Sequence, residues 1–193
     1  MDSFKTLLKK FDLSLQKYNH VNYARLQNPL PEQELDQFLK ELEINDENFK
    51  QLYKWKNGFN STHGENRHNQ IFDFGGLLSM EFLLESKALD LGAWEKSFVP
   101  LVSTGDGDFI LFNNKNGREY GKLHLFSPSL LYIEEPIGYY DSIYTLIETT
   151  IEAYQQHVFE YDEKKDWLDI DINKLDKIVS KLNKYSEFWK LDK

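Results

Sequence analysis

Apolar residues recur at helical spacing near both ends of the chain, and short apolar runs bounded by glycine, proline and asparagine fill the middle. From Phe4, the positions Phe4, Leu7, Leu8, Phe11, Leu15 and Tyr18 fall on one stripe with lysines opposite. This predicts an amphipathic helix over 3–19 with Asp2 or Ser3 as its cap and its apolar face toward a core. Asn28-Pro29-Leu30-Pro31 must be extended, and Pro31 then opens a helix carrying Leu35, Phe38, Leu39 and Leu42, with Glu32 and Glu34 in its first turn. A shorter helix follows through Phe49, Leu52 and Tyr53, with Asn45 or Asp46 as cap. Beyond Trp55, the pair Asn57-Gly58 reads as its C-terminal stop.

The pattern then changes period. Ile71-Phe72-Asp73-Phe74 alternates like a short strand before Gly75-Gly76, and Ser79 is placed to cap a helix holding Phe82, Leu83 and Leu89, ended by Gly92. Phe98 to Val102 reads as a strand in which Pro100 requires an edge or a strand start. Phe109 to Phe112 is a continuous apolar strand, Asn113 to Gly117 a hairpin turn, and Tyr120 to Phe126 its return. Leu130 to Ile133 gives a last short strand and Glu134 to Tyr140 an acidic, aromatic loop. Ile143, Leu146, Ile147, Ile151 and Tyr154 form the clearest helical stripe, capped by Asp141 or Ser142. The charged stretch 160–171 reads as a linker, and Leu175, Ile178, Val179 and Leu182 as a final helix capped by Asn173.

Composition narrows the partners. The chain has 193 residues, with 14 Phe, 11 Tyr and 4 Trp, enough to build one core rich in aromatic rings. The 32 acidic residues outnumber the 23 Lys and Arg, and the net charge of −9 argues against gripping a nucleic-acid backbone and suits a basic partner. There is no cysteine, so disulfides, thiolate metal sites and a cysteine nucleophile are excluded. Met1 to Lys10 lacks the apolar core of a signal peptide and no stretch is long enough to span a bilayer, so a cytoplasmic protein is expected.

Candidate chemistry is sparse. His63, Glu65 and His68 are metal-competent but sit in a polar loop, where three or four ligands on a rigid scaffold would be needed; a connector is the expected role. Glu81 and Glu85 share a helix face, which solvated surface explains. Asp106-Gly107-Asp108 has the alternation of a calcium loop without its remaining ligands, so a turn is expected and no metal or cofactor is assigned. His157 suits the end of its helix. No Gly-x-Ser-x-Gly elbow and no phosphate-cradling glycine loop is present, and no catalytic residue is assigned.

Several markers in order resemble the SUKH superfamily of bacterial immunity proteins against polymorphic toxins, which are related to fungal regulators of cell-wall synthesis. They are Leu30-Pro31 before a helix, Trp55-x-Asn57-Gly58, Phe74-Gly75-Gly76 before Leu78 and Ser79, Phe98-Val99-Pro100-Leu101 before Gly105-Asp106-Gly107-Asp108, and Tyr140-Asp141-Ser142-Ile143. The resemblance covers about 28–159. The helix 3–19 and the extension 160–193 lie outside it, within one expected domain. It implies an α+β fold, a mixed and mainly antiparallel sheet with flanking helices. It also implies a non-enzymatic role: binding and neutralising a cognate toxin domain, a basic nuclease being one kind that an acidic surface suits. Asp106, Asp108, Glu134, Glu135 and Tyr139 are the expected contact residues. Pro31, Trp55, Asn57, Gly58, Gly76 and Pro100 are expected to be structural. The alternative is an interaction module of the same fold with a non-toxin partner, docking through its terminal helices. The oligomeric state is left open.

Overall fold

The computed structural model describes residues 3–60, 68–89 and 97–191. Four helices open it: α1 (Phe4–Tyr18), α2 (His20–Arg25), α3 (Glu32–Glu41) and α4 (Glu47–Trp55). Side chains cap the first and last of these, the Ser3 hydroxyl accepting from the Thr6 amide and the Asp46 carboxylate from that of Phe49, while Pro31 precedes α3. Then come β1 (Gly76–Leu77), α5 (Met80–Leu89), β2 (Phe98–Ser103), β3 (Phe109–Asn113), β4 (Leu123–Ser127) and β5 (Ile133–Tyr140). Helix α6 (Ile143–Gln155), a hairpin of β6 (Phe159–Asp162) and β7 (Trp167–Ile170), α7 (Ile172–Leu182) and a 3₁₀ turn (Phe188–Lys190) complete the chain.

The fold is α+β. Five strands run in the order β1-β2-β3-β4-β5, every neighbour antiparallel; short connections from β2 to β5 favour that pairing, whereas β1 reaches β2 through α5. The expected mixed sheet reduces to one isolated parallel bridge between Phe59 and Leu78. Strand β3 is central, and Ile110, Leu111 and Phe112 are wholly buried, as its unbroken apolar run requires. Pro100 lies at a bulge in β2, past the two residues that β1 covers, so its missing N–H leaves no ladder bond unmade.

One apolar cluster extends from Leu7 on α1 to Trp189 in the 3₁₀ turn. Helices α1 and α7 both pack on α6. The cap of α6 is a reciprocal pair in which Ser142 accepts from the Thr145 amide and Thr145 accepts from the Ser142 amide.

Several local expectations are corrected. Ile71–Phe74 is a tight turn bridged between Phe72 and Gly75, with Ile71 and Phe72 buried in the core. The acidic stretch from Glu134 to Tyr140 is an edge strand paired with β4, since an edge needs partners on one side only and tolerates Pro136 and Gly138. Residues 160–171 are no linker: Phe159 and Leu168 are buried and hold the β6–β7 hairpin against α6. Helix α7 starts earlier than Asn173 would allow, with the Asp171 carboxylate accepting from the Lys174 amide. Gly92 lies outside the described residues.

Asn57-Gly58 also differs. Helix α4 ends at Trp55 with Lys56 already extended, so the pair does not form a left-handed helix stop. Instead, the buried Asn57 side chain accepts from the Met80 amide and donates to both carboxylate oxygens of Glu81. It caps α5, a helix more than twenty positions downstream. Gly58 has φ +72°, and a Cβ there would come within 2.5 Å of the Leu78 carbonyl oxygen.

Candidate binding groove

The chain's last described segment folds back over β5 and creates the site. The Glu187 amide donates to the Gly138 carbonyl at 2.9 Å and the Ser186 hydroxyl to the same oxygen at 3.1 Å. Asn183 accepts from the Asp141 amide, and the Asp141 carboxylate accepts from the Tyr185 amide. These bonds place Trp189 in a stack on Tyr139, ring centres 5.2 Å apart, with Phe188 edge-on to both.

Between this segment, α7 and the Phe74 turn lies an open groove of about 580 Å³. Its walls include Phe74, Leu131, Tyr139, Ile172, Trp189 and Leu191. Ile172 and Leu191 are about 60% exposed, at 58% and 63%. Leu130, Leu131 and Tyr132 form an apolar tip beside it, where Tyr132 takes φ +56° and is 86% exposed. A bulky side chain held out in a left-handed conformation marks a position shaped by something other than local preference.

Asp73 lies beneath the aromatic wall. Its Oδ2 accepts from the Tyr139 hydroxyl at 2.6 Å and the Tyr140 hydroxyl at 2.8 Å, while Oδ1 is closed from solvent without a hydrogen-bond partner. Burial pushes the Asp73 carboxyl above the usual aspartate range, and the two phenol hydroxyls oppose that shift by favouring the charged form. Burial, with the nearby Asp73 charge, pushes both phenols well up, so they remain donors. The Trp189 indole N–H is likewise buried and unpartnered.

The expected contact residues divide. Glu134 and Glu135 are exposed on β5. Tyr139 is on the same strand but buried, reaching the groove through its ring. Asp108 is wholly buried, accepts from the Ser129 amide at 2.9 Å and is therefore removed from the contact surface. Half-buried Asp106 offers its carbonyl to the Ser129 hydroxyl. The Asp106–Asp108 turn thus fastens the base of the Leu130–Tyr132 tip through the Asp106 carbonyl and the Asp108 carboxylate.

Among the structural markers, the Trp55 indole donates to Asp12 at 2.7 Å and packs on Phe11, joining α4 to α1. The neighbouring Tyr53 joins α4 to the sheet, donating its hydroxyl to the Leu78 carbonyl. Gly76 opens β1. His63 and Glu65 lie outside the described residues; His68 contacts the Asp166 carbonyl, and among the described residues no three His, Asp or Glu side chains gather as a metal site. Glu81 and Glu85 are both exposed, and Glu81 also accepts from the Asn57 side-chain amide. His157 follows α6 with its ring edge-on to Tyr18.

No protein-family model matches the chain, and no curated protein is significantly similar to it. Among the described residues no helix is long and apolar enough to cross a membrane.

Sequence reading missed the groove's main parts. Asp73 was buried inside an apparent strand, and Leu131, Ile172 and Trp189 are separate in sequence. The usable signal was apolar residues left without a periodic partner: Leu130-Leu131-Tyr132 and Phe188-Trp189 fit no helix stripe.

Proposed function

We propose that this chain is a non-enzymatic binding protein of the immunity class that its sequence markers resemble, which captures a basic toxin domain and blocks it without turnover. The observation that carries this reading is the open aromatic groove with its exposed apolar tip, set beside an acidic edge strand. Apolar side chains supply affinity, since fully covering one of leucine size contributes about 2 kcal/mol. Glu134 and Glu135, with the overall charge of −9, favour a positively charged partner and speed its approach.

Co-expression with a basic polymorphic-toxin domain tests the proposal. The wild-type chain should rescue growth and form a stable complex. Tyr132→Ala and Leu131→Lys, both on exposed positions, should abolish rescue while leaving the melting temperature nearly unchanged. Rescue undiminished by both changes would rule out the groove.

The rival reading, an adaptor for a non-toxin partner docking through its terminal helices, is favoured by nothing specific at those helices. The segment after Glu160 contributes Leu168, Leu175, Val179 and Trp189 to the core, so deleting it would unfold the chain rather than isolate a docking element. Surface substitutions on α7, such as Lys177→Glu, separate the two readings instead.

A further inference from the structure

We infer that the groove receives a basic side chain, an arginine or lysine carried on a segment of the partner. This rests on the groove being the binding surface and adds the chemistry of what enters it. Among the described residues the lining includes Asp73 and Asp176 and no Lys, Arg or His. Asp176 is engaged by the Ser180 hydroxyl, but Asp73 has no cation beside it among the described residues. Among the described residues its side-chain donors are the two phenols, both on one oxygen, and the Asp73 and Phe74 backbone amides also favour the charged form without supplying a counter-charge.

A carboxylate taken out of water without a counter-charge is a standing cost, because its desolvation is not offset by an ion pair. A cation arriving in the groove offsets it. Oδ1 is closed from solvent, so the attraction acts through the ring layer as a field rather than as a direct hydrogen bond. With little water in between, that field is weakly screened.

The rings reinforce the same sign. Phe74 and Tyr139 lie 6.2 Å apart, and Tyr139, Phe188 and Trp189 are mutually within about 5 Å. Aromatic faces carry negative potential and attract ammonium and guanidinium groups. Tyr139 adds to this because its hydroxyl donates to Asp73, which leaves its ring richer in electron density. The apolar rim of Leu131, Ile172 and Leu191 suits the methylene stem that a lysine or arginine brings with its charge. A neutral apolar segment would use the rim and leave Asp73 uncompensated.

The test titrates the full chain with N-acetyl-arginine amide and N-acetyl-lysine amide, against the neutral isosteres N-acetyl-citrulline amide and N-acetyl-norleucine amide. NMR reads the Trp189 indole N–H together with the Ile170, Ile172 and Leu191 methyl groups. The basic probes should shift these signals at millimolar concentration, and each neutral isostere should bind roughly tenfold more weakly. Asp73→Asn should narrow the gap between arginine amide and citrulline amide, leaving only the share that the rings supply. If that variant does not fold, I172K at an exposed rim position serves, and it should weaken the basic probes far more than the neutral ones.

Equal binding of charged and neutral probes overturns the inference, as does the absence of shifts at the groove. Self-association that I172K disperses in sedimentation also overturns it, by making a second copy the occupant. Probe selectivity without toxin rescue removes the immunity reading and leaves the groove's chemistry intact. Rescue that ignores D73N and I172K does the reverse.

Discussion

At the scale of single residues, Asp73 and Asp166 are the same side chain with opposite consequences for pH. The Arg25 guanidinium holds Asp166 below the usual aspartate range through paired contacts at 3.0 Å, so its contribution exists above that range and is lost as acid protonates it. Burial raises Asp73, so its contribution is complete below the unfolded value of about 3.9 and is lost as pH rises through the folded value. Asp73→Asn removes that loss. In urea unfolding, the stability of D73N relative to wild type should therefore improve between about pH 4 and pH 7, whatever the constant cost of the substitution.

The glycines allow a second residue-level prediction. Gly58 and Gly117 both have positive φ, at +72° and +138°, but a Cβ at Gly58 would strike the Leu77 and Leu78 carbonyls whereas at Gly117 it would meet open space. Gly58→Ala should cost about 3 kcal/mol or more, combining backbone strain with the clash, and Gly117→Ala about 1 kcal/mol from the backbone alone. Denaturant midpoints at constant m-value would show the difference. Asn57→Ala should cost about 2 kcal/mol, since it removes one of the two side chains that cap α5, the other being Ser79, and leaves the Met80 amide unpaired.

At the scale of elements, the β6–β7 hairpin and the C-terminal segment are held by different means. The hairpin turn contains Asp166 at φ +51°, which accepts from Arg25 and from the Tyr161 hydroxyl; burial and this carboxylate push the Tyr161 phenol up to about 12. Because the Arg25–Asp166 pair is partly solvated, Asp166→Ala should change global stability by no more than about 1 kcal/mol. Hydrogen exchange should nevertheless quicken across 159–170, reporting local opening. The C-terminal segment depends on packing, so Trp189→Ala should cost about 3 kcal/mol and expose Tyr139. Increased fluorescence of an added hydrophobic dye would detect that exposure.

The elements also show where local reading succeeded. Helices α1 and α6 follow their apolar stripes, and Ser3, Asp46 and Ser142 cap as their sequence positions suggest. Strand β5 failed that reading because Glu134, Glu135, Pro136 and Gly138 are poor strand formers individually. Pairing with β4 overrides them.

At the scale of the whole molecule, a net charge of −9 would act on the proposed basic toxin domain before any contact forms. The association rate with the toxin domain should fall steeply as salt is raised, while the dissociation rate, set by the apolar groove, should change little. Stopped-flow mixing at several ionic strengths checks this. Glu134→Lys with Glu135→Lys should reduce the salt dependence and leave the fold unaltered, because both side chains are exposed on the edge strand.

By itself the sequence determined the amphipathic helices, the buried apolar run of β3, the aromatic core and the net negative charge. Each of these depends on composition or on a period readable within a few turns of chain. Only the tertiary structure decided that Asn57 caps a helix more than twenty residues away, that charged 160–171 forms a hairpin, and that Asp108 is buried. It also assembled the groove, whose residues Asp73, Leu131, Tyr139, Ile172 and Trp189 come from separate segments. A binding surface of this kind leaves no local period, because its members meet only after long-range packing and the return of the C-terminal segment to β5 have fixed where each side chain lies.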